Sequence, residues 1–272
     1  MKIKEAEEIL RAGGIEDARS EARHIFSKVA KMPHYMLLSP DAECVDEAVR
    51  DAVRRRAERE PLAYILGEAD FYRECYKVTP DCLIPRPDTE VLVEVAIKNL
   101  PSGKRFLDLC TGSGCVALSV LNNTEDTAAV AADISAGALS VAKENSERLG
   151  LSSRIEFLEH DVLGQEIEGE FFAMLSNPPY VTNAEYEALE PEIYREPKAA
   201  FVGGEDGGDF YRRLTELYAH LCRSGGFIAY EIGYAQGRLL QEIASENSLC
   251  CEIIKDLAGR DRVALLKNGR QK

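Results

Sequence analysis

The chain has 272 residues, room for one or two domains, and its 45 % apolar and 29 % charged side chains exclude a disordered polymer. A net charge of −14 repels phosphate backbones at long range, so no direct nucleic-acid partner is expected. No apolar run approaches the roughly 20 residues of a membrane span, and Met1–Leu10 lacks the apolar segment of a secretion signal; a cytoplasmic protein with no membrane partner is expected.

Apolar residues three and four apart predict helices over Lys4–Arg11 and Ile15–Ala30, broken by Gly13-Gly14, and over Asp46–Arg59. Short amphipathic helices bury their stripes against one another, so residues 1–70 read as a helical bundle, with Arg54-Arg55-Arg56 on a solvated face. Phe71-Tyr72 and Tyr76–Thr79 read as the strands of a hairpin inside a linker over 71–90. Residues 91–272 then alternate. Strand Arg105–Leu109 leads to helix Cys115–Leu121, strand Ala128–Ala132, and helix Ala136–Leu149 closed by Gly150. Strands Ile155–Leu158 and Phe171–Ser176 precede helix Asp209–Arg223, strand Gly226–Ile232 and helix Ala235–Asn247. The last two strands, Cys251–Leu257 and Arg262–Lys267, are too close for a parallel crossover and predict an antiparallel hairpin. The expected fold is α/β: a seven-stranded, mostly parallel, doubly wound Rossmann-like sheet behind a small helical domain. The eight cysteines show no two-residue spacing and the histidines are scattered, so free thiols and no metal site are expected.

Three signals carry chemistry. Asp108-Leu-Cys-Thr-Gly-Ser-Gly114 is a glycine turn between a strand and a helix, where backbone N–H groups can approach a ligand, and Asp133 closes the next strand. Its carboxylate suits the hydroxyls of an adenosine ribose. Asp108, an anion just upstream of the turn, serves a pyrophosphate poorly and a sulfonium cation well, which tilts the ligand from a dinucleotide toward S-adenosylmethionine. Asp161, after the third strand, could accept from an adenine amino group with Val162 on the base; His160 beside it reads as exposed. The decisive signal is Asn177-Pro178-Pro179-Tyr180. A planar –NH2 nucleophile has two protons, which the Asn177 oxygen and the Pro178 carbonyl can accept. Pro179 fixes the turn without a competing N–H, and Tyr180 offers a ring to the flat face of an amide or base. Catalysis by such a site is orientation and charge placement, with no strong general base in view.

Together these segments resemble the class I S-adenosylmethionine-dependent methyltransferases of planar nitrogens. Further strings narrow the likeness: Arg59–Gly67, Leu83–Glu90 with Ile84-Pro85-Arg86-Pro87, Gly203–Gly207, Glu231–Gly237 and Asp256–Val263. In that order, after a helical N-terminus, the chain is similar to the peptide chain release factor N5-glutamine methyltransferases from about Glu60 to its end. The resemblance implies methylation of the glutamine amide in the Gly-Gly-Gln motif of class I release factors. It implies that Cys110, Thr111, Gly112, Ser113, Gly114, Asp133, Asp161, Val162 and Asn177 touch the cofactor. Asn177, Pro178, Pro179 and Tyr180 would hold the glutamine, with Arg86 and Pro87 beside the pocket. Residues 1–70 would recognise the protein substrate, and a monomer is expected. Two positions depart from the family: Cys110 stands where glycine is common, and Asp88 where glutamate is.

Rival readings remain at this point. A sister family methylates a glutamine of a large-subunit ribosomal protein and shares Asn-Pro-Pro-Tyr. The same –NH2 logic fits a nucleic-acid base methyltransferase, against which the charge and the absence of a basic tract weigh. An NAD-dependent oxidoreductase leaves Asn177–Tyr180 idle, and a non-catalytic binding module explains neither motif.

Overall fold

The computed structural model describes residues 1–269, so the last three residues of the range 91–272 lie outside it. The N-terminal helices are α1 (Ile3–Ala12), α2 (Ala18–Lys28), α3 (His34–Leu37), α4 (Glu47–Ala57) and α5 (Leu62–Leu66). Ile3, Ala6 and Leu10 of α1 close on Ala22, Ile25 and Phe26 of α2 and on Val49 and Val53 of α4. This is the expected mutual burial of stripes. Asp46 caps α4 by accepting from the Ala48 amide at 2.9 Å. Two short helices were not anticipated. In α5 the aromatic and β-branched residues imitate a strand, but Pro61 opens the helix and Gly67, at φ 73°, ends it.

The expectation of a solvated arginine face fails at Arg56. Its guanidinium is buried, bonded to Glu21 at 2.5 Å and to Glu192 of the larger domain at 3.0 Å. Arg59 reaches the same Glu192 at 2.7 Å. A position on the inner side of α4 excludes water, and two carboxylates replace the lost hydration. Arg54 does lie on the exposed face, among Asp51 and Glu58.

The hairpin is β1 (Glu68–Phe71) and β2 (Glu74–Lys77), so it starts at Glu68 and leaves Tyr72 in the turn with a left-handed φ of 58°. It is no loose linker. Phe71 and Tyr76 are buried in the core of the larger domain. The Asn145 side chain accepts from the Lys77 backbone amide at 2.7 Å and donates to the Lys77 carbonyl at 3.0 Å and the Ser113 carbonyl at 2.9 Å, fastening the hairpin to the glycine turn.

Helix α6 (Glu90–Asn99), unassigned from the sequence because its valines and isoleucine favour strands, precedes the main sheet. The sheet holds β3 (Arg105–Leu109), β4 (Ala128–Asp133), β5 (Ile155–Glu159), β6 (Ala173–Ser176), β7 (Phe227–Glu231), β8 (Leu249–Lys255) and β9 (Asp261–Asn268). Between them lie α7 (Cys115–Asn122), α8 (Ala136–Arg148), α9 (Asn183–Tyr186), α10 (Asp209–Arg223) and α11 (Gly237–Glu246). The order is β5-β4-β3-β6-β7-β9-β8, parallel except for β9, which runs antiparallel to both neighbours. Alternation along β3 supplies both faces. Phe106 joins Leu92 and Val116 on one side; Leu107 joins Met174, Tyr211 and Leu240 on the other. The chain leaves β3 toward β4 and β5 and returns to β6 and β7 on its other side. Loops therefore part at the carboxyl ends of β3 and β6, which opens a crevice there. All eight cysteines are free, and among the described residues no helix is long and apolar enough to cross a membrane.

Removing Arg56 leaves the largely buried Glu21 carboxylate without a counter-charge and Glu192 with Arg59 alone. Arg56→Ala is expected to lower stability by about 3 kcal/mol in urea unfolding. A change near zero would show that the pairs contribute nothing across the domain boundary.

Candidate active site

The glycine turn leaves β3 through Cys110, whose φ of 60° is the left-handed conformation that glycine adopts more cheaply. A Cβ added at Gly112, also left-handed at φ 55°, would meet no atom within 4 Å, so the space above the turn is open. Asp108 lies beneath it, 1 % exposed, accepting from the Thr111 hydroxyl at 2.6 Å and the Ala117 amide at 3.2 Å. Its carboxyl staples the turn to α7 and does not line the large cavity. Burial pushes it up to about 7.

Asp133 ends β4 with one oxygen on the Gly112 amide at 2.9 Å and the other on the Ser135 amide at 3.0 Å. Burial raises this carboxyl too, against those backbone donors. Asp161 is exposed and accepts from the Leu163 amide at 3.0 Å, while Val162 is buried. His160 is half-buried, not exposed, with Nε2 paired to the Gln165 carbonyl. These residues surround a cavity of about 550 Å³ with Cys110, Asn177 and Pro179. Three aspartates line it, Asp81, Asp133 and Asp161, and among the described lining residues there is no lysine or arginine. Such a wall favours a cation and disfavours a pyrophosphate.

A smaller cavity of about 140 Å³ adjoins it, lined by Arg86, Asn177, Tyr180, Phe201 and Glu231 among others. Asn177, Leu83 and Ala200 line both, so Asn177 stands in the wall between them. Its Nδ2 donates to Thr89 Oγ1 at 3.2 Å, which leaves the amide oxygen for a ligand. The Tyr180 hydroxyl donates to Glu231 Oε1 at 3.0 Å. Burial and that carboxylate raise the phenol's pKa. Arg86 lines the smaller cavity with its charge met by Glu196, which also accepts from the Ile84 amide at 3.0 Å.

Not every expected residue faces a cavity. Pro179 lines the larger one, and Pro178 is buried behind it. Pro87 lines neither; it opens the 3-10 turn Pro87–Thr89 and so places Thr89 under Asn177. Thr111 and Ser113 border a narrow recess of about 30 Å³ beneath the turn, and Gly114 caps α7.

The remaining sequence strings explain themselves as buttresses. The Gly203 amide reaches the Val181 carbonyl at 3.0 Å, and a side chain at Gly203 would overlap the Pro179 carbonyl. Gln236 donates to the Tyr180 carbonyl at 3.0 Å and accepts from the Gly233 amide at 2.9 Å. Arg262, buried, pairs with Asp88 at 2.9 Å and Asp256 at 3.3 Å. Thr89, Glu196, Glu231 and Arg262 were not assigned roles from the sequence, although Thr89, Glu231 and Arg262 lie inside strings that it singled out. Their partners are distant in the chain, so spacing could not reveal them.

The strand order and the glycine turn define a methyltransferase domain of Rossmann-like form. A family model described as "Methyltransferase small domain" matches residues 87–204, and one described as "PrmC N-terminal domain" matches residues 2–67. The ribosomal protein L11 methylase from Lactobacillus delbrueckii subsp. bulgaricus shares the fold, with a TM-score of 0.52 and 18 % identity over 70 % of this chain and 83 % of that one. The release factor glutamine methyltransferase of Thermodesulfovibrio yellowstonii is 38 % identical over 92 % of both chains. That of Geobacter sulfurreducens is 36 % identical, over 92 % of this chain and 89 % of its own. This chain belongs to the release factor glutamine methyltransferase family.

The raised Asp108 carboxyl has a thermodynamic sign. The folded state keeps a proton that the unfolded chain releases near its ordinary value, so this group's contribution to stability falls as pH rises from about 4 to about 7. Asp108→Asn keeps an acceptor oxygen and cannot titrate. The melting temperature of the wild type, relative to this variant, is expected to drop between about pH 4 and pH 7 and to level off above that. Parallel curves would show that Asp108 is ionised throughout.

Proposed function

We propose that the protein transfers the methyl group of S-adenosylmethionine to the side-chain amide nitrogen, N5, of the glutamine in the Gly-Gly-Gln motif of class I peptide chain release factors. The observation that carries this reading is the position of Asn177, in the wall shared by the two cavities with its amide oxygen free. The larger cavity lies within the roughly 300–1,000 Å³ usual for small-ligand sites. Its aspartates suit a sulfonium, and the open space over Gly112 suits close approach of a ligand to the turn. Asp133 has lone pairs left for the ribose hydroxyls and Asp161 for the adenine amino group, and Val162 would pack against the base. Cys110 and Gly112 would line the cofactor; Thr111, Ser113 and Gly114 would shape the turn from below. When bound, S-adenosylmethionine supplies an electrophilic methyl group.

The smaller cavity is the right scale for one side-chain amide. Asn177 Oδ1 would accept one amide proton and the Pro178 carbonyl the other, which aims the nitrogen lone pair across the shared wall. Tyr180, held by Glu231, would flank the amide, and Arg86 the mouth. The relatives are named for release factor glutamine methylation, and this supports the same substrate here. Residues 1–70 would present surface to the release factor, tied by Arg56, Arg59 and Glu192 to the segment whose Leu189 and Ile193 line the smaller cavity. The reading places the enzyme in the cytoplasm, acting as a monomer on a protein and on no nucleic acid.

Mass spectrometry of a purified release factor after incubation with enzyme and cofactor is expected to show one added methyl group on the motif glutamine. Asn177→Ala should lower the rate by about 10²–10³-fold, as loss of one orienting hydrogen bond does in comparable sites. Asn177→Asp tests geometry against charge: if position alone matters it retains more activity than alanine. An unmodified wild-type substrate, or full activity in both variants, would contradict the proposal.

A further inference from the structure

Methylation of an amide nitrogen leaves a proton to dispose of. The nitrogen begins with two protons and ends with one proton and a methyl group. An N-protonated amide is a far stronger acid than any carboxylic acid, so its proton leaves with or directly after methyl transfer. The acceptors that orient the amide, Asn177 Oδ1 and the Pro178 carbonyl, are neutral oxygens that cannot keep a proton.

Among the described residues lining the smaller cavity there is one carboxylate, Glu231. It is 2 % exposed. Oε1 accepts from the Tyr180 hydroxyl at 3.0 Å, whereas Oε2 is buried without a hydrogen bond of ordinary geometry, with the Thr89 hydroxyl close by. A buried carboxylate served by so few donors binds a proton more readily than an exposed one. The other charged group of this cavity, Arg86, is already matched by Glu196.

We infer that Glu231 is the proton acceptor of the reaction, its second carboxylate oxygen, Oε2, taking the proton that the amide nitrogen sheds. The inference rests on the amide-methylation reading above. The nitrogen lone pair forms the new bond to the methyl carbon, the carbon–sulfur pair stays with sulfur as a neutral thioether, and one N–H proton, until then held by a neutral carbonyl oxygen, passes to Glu231 Oε2. Water receives that proton when the product leaves.

The surroundings fit the task. From β9, Arg262 favours the ionised carboxylate, and from the turn before α6, Asp88 opposes it. Tyr180 and Thr89 favour ionisation, while burial raises the pKa above the ordinary glutamate value. On α10 the Tyr211 hydroxyl is spent on the Glu231 backbone carbonyl at 2.9 Å, and burial, with a small addition from Glu231, pushes the Cys115 thiol of α7 up, so it stays neutral. The acceptor is therefore ionised above a raised pKa. The rate should fall with acid on a limb displaced upward from the ordinary carboxylate range.

The test uses the full-length enzyme, an intact release factor, and S-adenosylhomocysteine as the binding probe. Glu231→Gln preserves size and an acceptor for Tyr180. It is expected to lower kcat by about 10²-fold or more, to leave KM and probe affinity within about twofold, and to abolish the acidic limb. A kcat within about threefold of wild type, or a retained limb, overturns the inference. Tyr180→Phe removes one donor to the carboxylate and should move the limb to higher pH. If Glu231→Gln does not fold, that shift decides alone, and an unmoved limb overturns the role. A wild-type enzyme that leaves the glutamine unmodified refutes the underlying function before any variant is compared.

Discussion

A primary amide can turn either its oxygen or its nitrogen toward a ligand, and in this protein one hydrogen bond makes the choice. Asn177 donates to Thr89 Oγ1 at 3.2 Å, and its oxygen is what remains for the site. The rest of the architecture serves that arrangement. Pro87 starts the turn that carries Thr89 to its place, and α6 extends from that turn into the core under the sheet. On the other side, β6 delivers Asn177 at its carboxyl end, and Gly203 and Gln236 hold the backbone of Pro179 and Tyr180 from behind. An amide acceptor works by direction, so the precision of these supports matters more than the strength of any one of them.

Charge is distributed with the same economy. The large cavity presents three aspartates and, among the described residues that line it, no lysine or arginine. Two buried arginines instead sit behind the walls. Arg262 neutralises Asp88 and Asp256 beneath Glu231, and Arg56 links the helical domain to Glu192. The net charge of −14 is thus more than a surface property. Some of it lines the large cavity, and some is matched internally to fasten segments far apart in the chain.

Much of this was legible in the sequence where local chemistry decides the outcome. Strand β3 and helix α10 occupy the predicted ranges, because a buried parallel strand and an amphipathic helix each write their period directly into the residues. The donors and acceptors of the Asn177–Tyr180 motif pointed to a planar –NH2 nucleophile, and the family resemblance, not the motif, supplied the substrate. Helix α6 was missed because its valines speak for a strand until the core they fill is known. Arg56 looked like one of three exposed cations, and only the placement of Glu21 and Glu192 distinguishes it from Arg54. Thr89 and Glu231 lay in strings recognised as characteristic, yet their tasks depend on Asn177 and Tyr180, to which no spacing rule connects them. Asp108 was legible as an acid of the turn, but not as a buried staple facing Thr111 and Ala117.

The central claim is that one fixed carboxamide presents its oxygen to a substrate amide in the wall between two cavities. A crystal structure of the enzyme with S-adenosylhomocysteine and a peptide containing Gly-Gly-Gln tests it most directly. The account predicts the peptide's glutamine in the smaller cavity, its amide nitrogen within hydrogen-bond distance of both Asn177 Oδ1 and the Pro178 carbonyl, with the sulfur across the shared wall. A glutamine whose oxygen faces Asn177, or one bound outside that cavity, would contradict it.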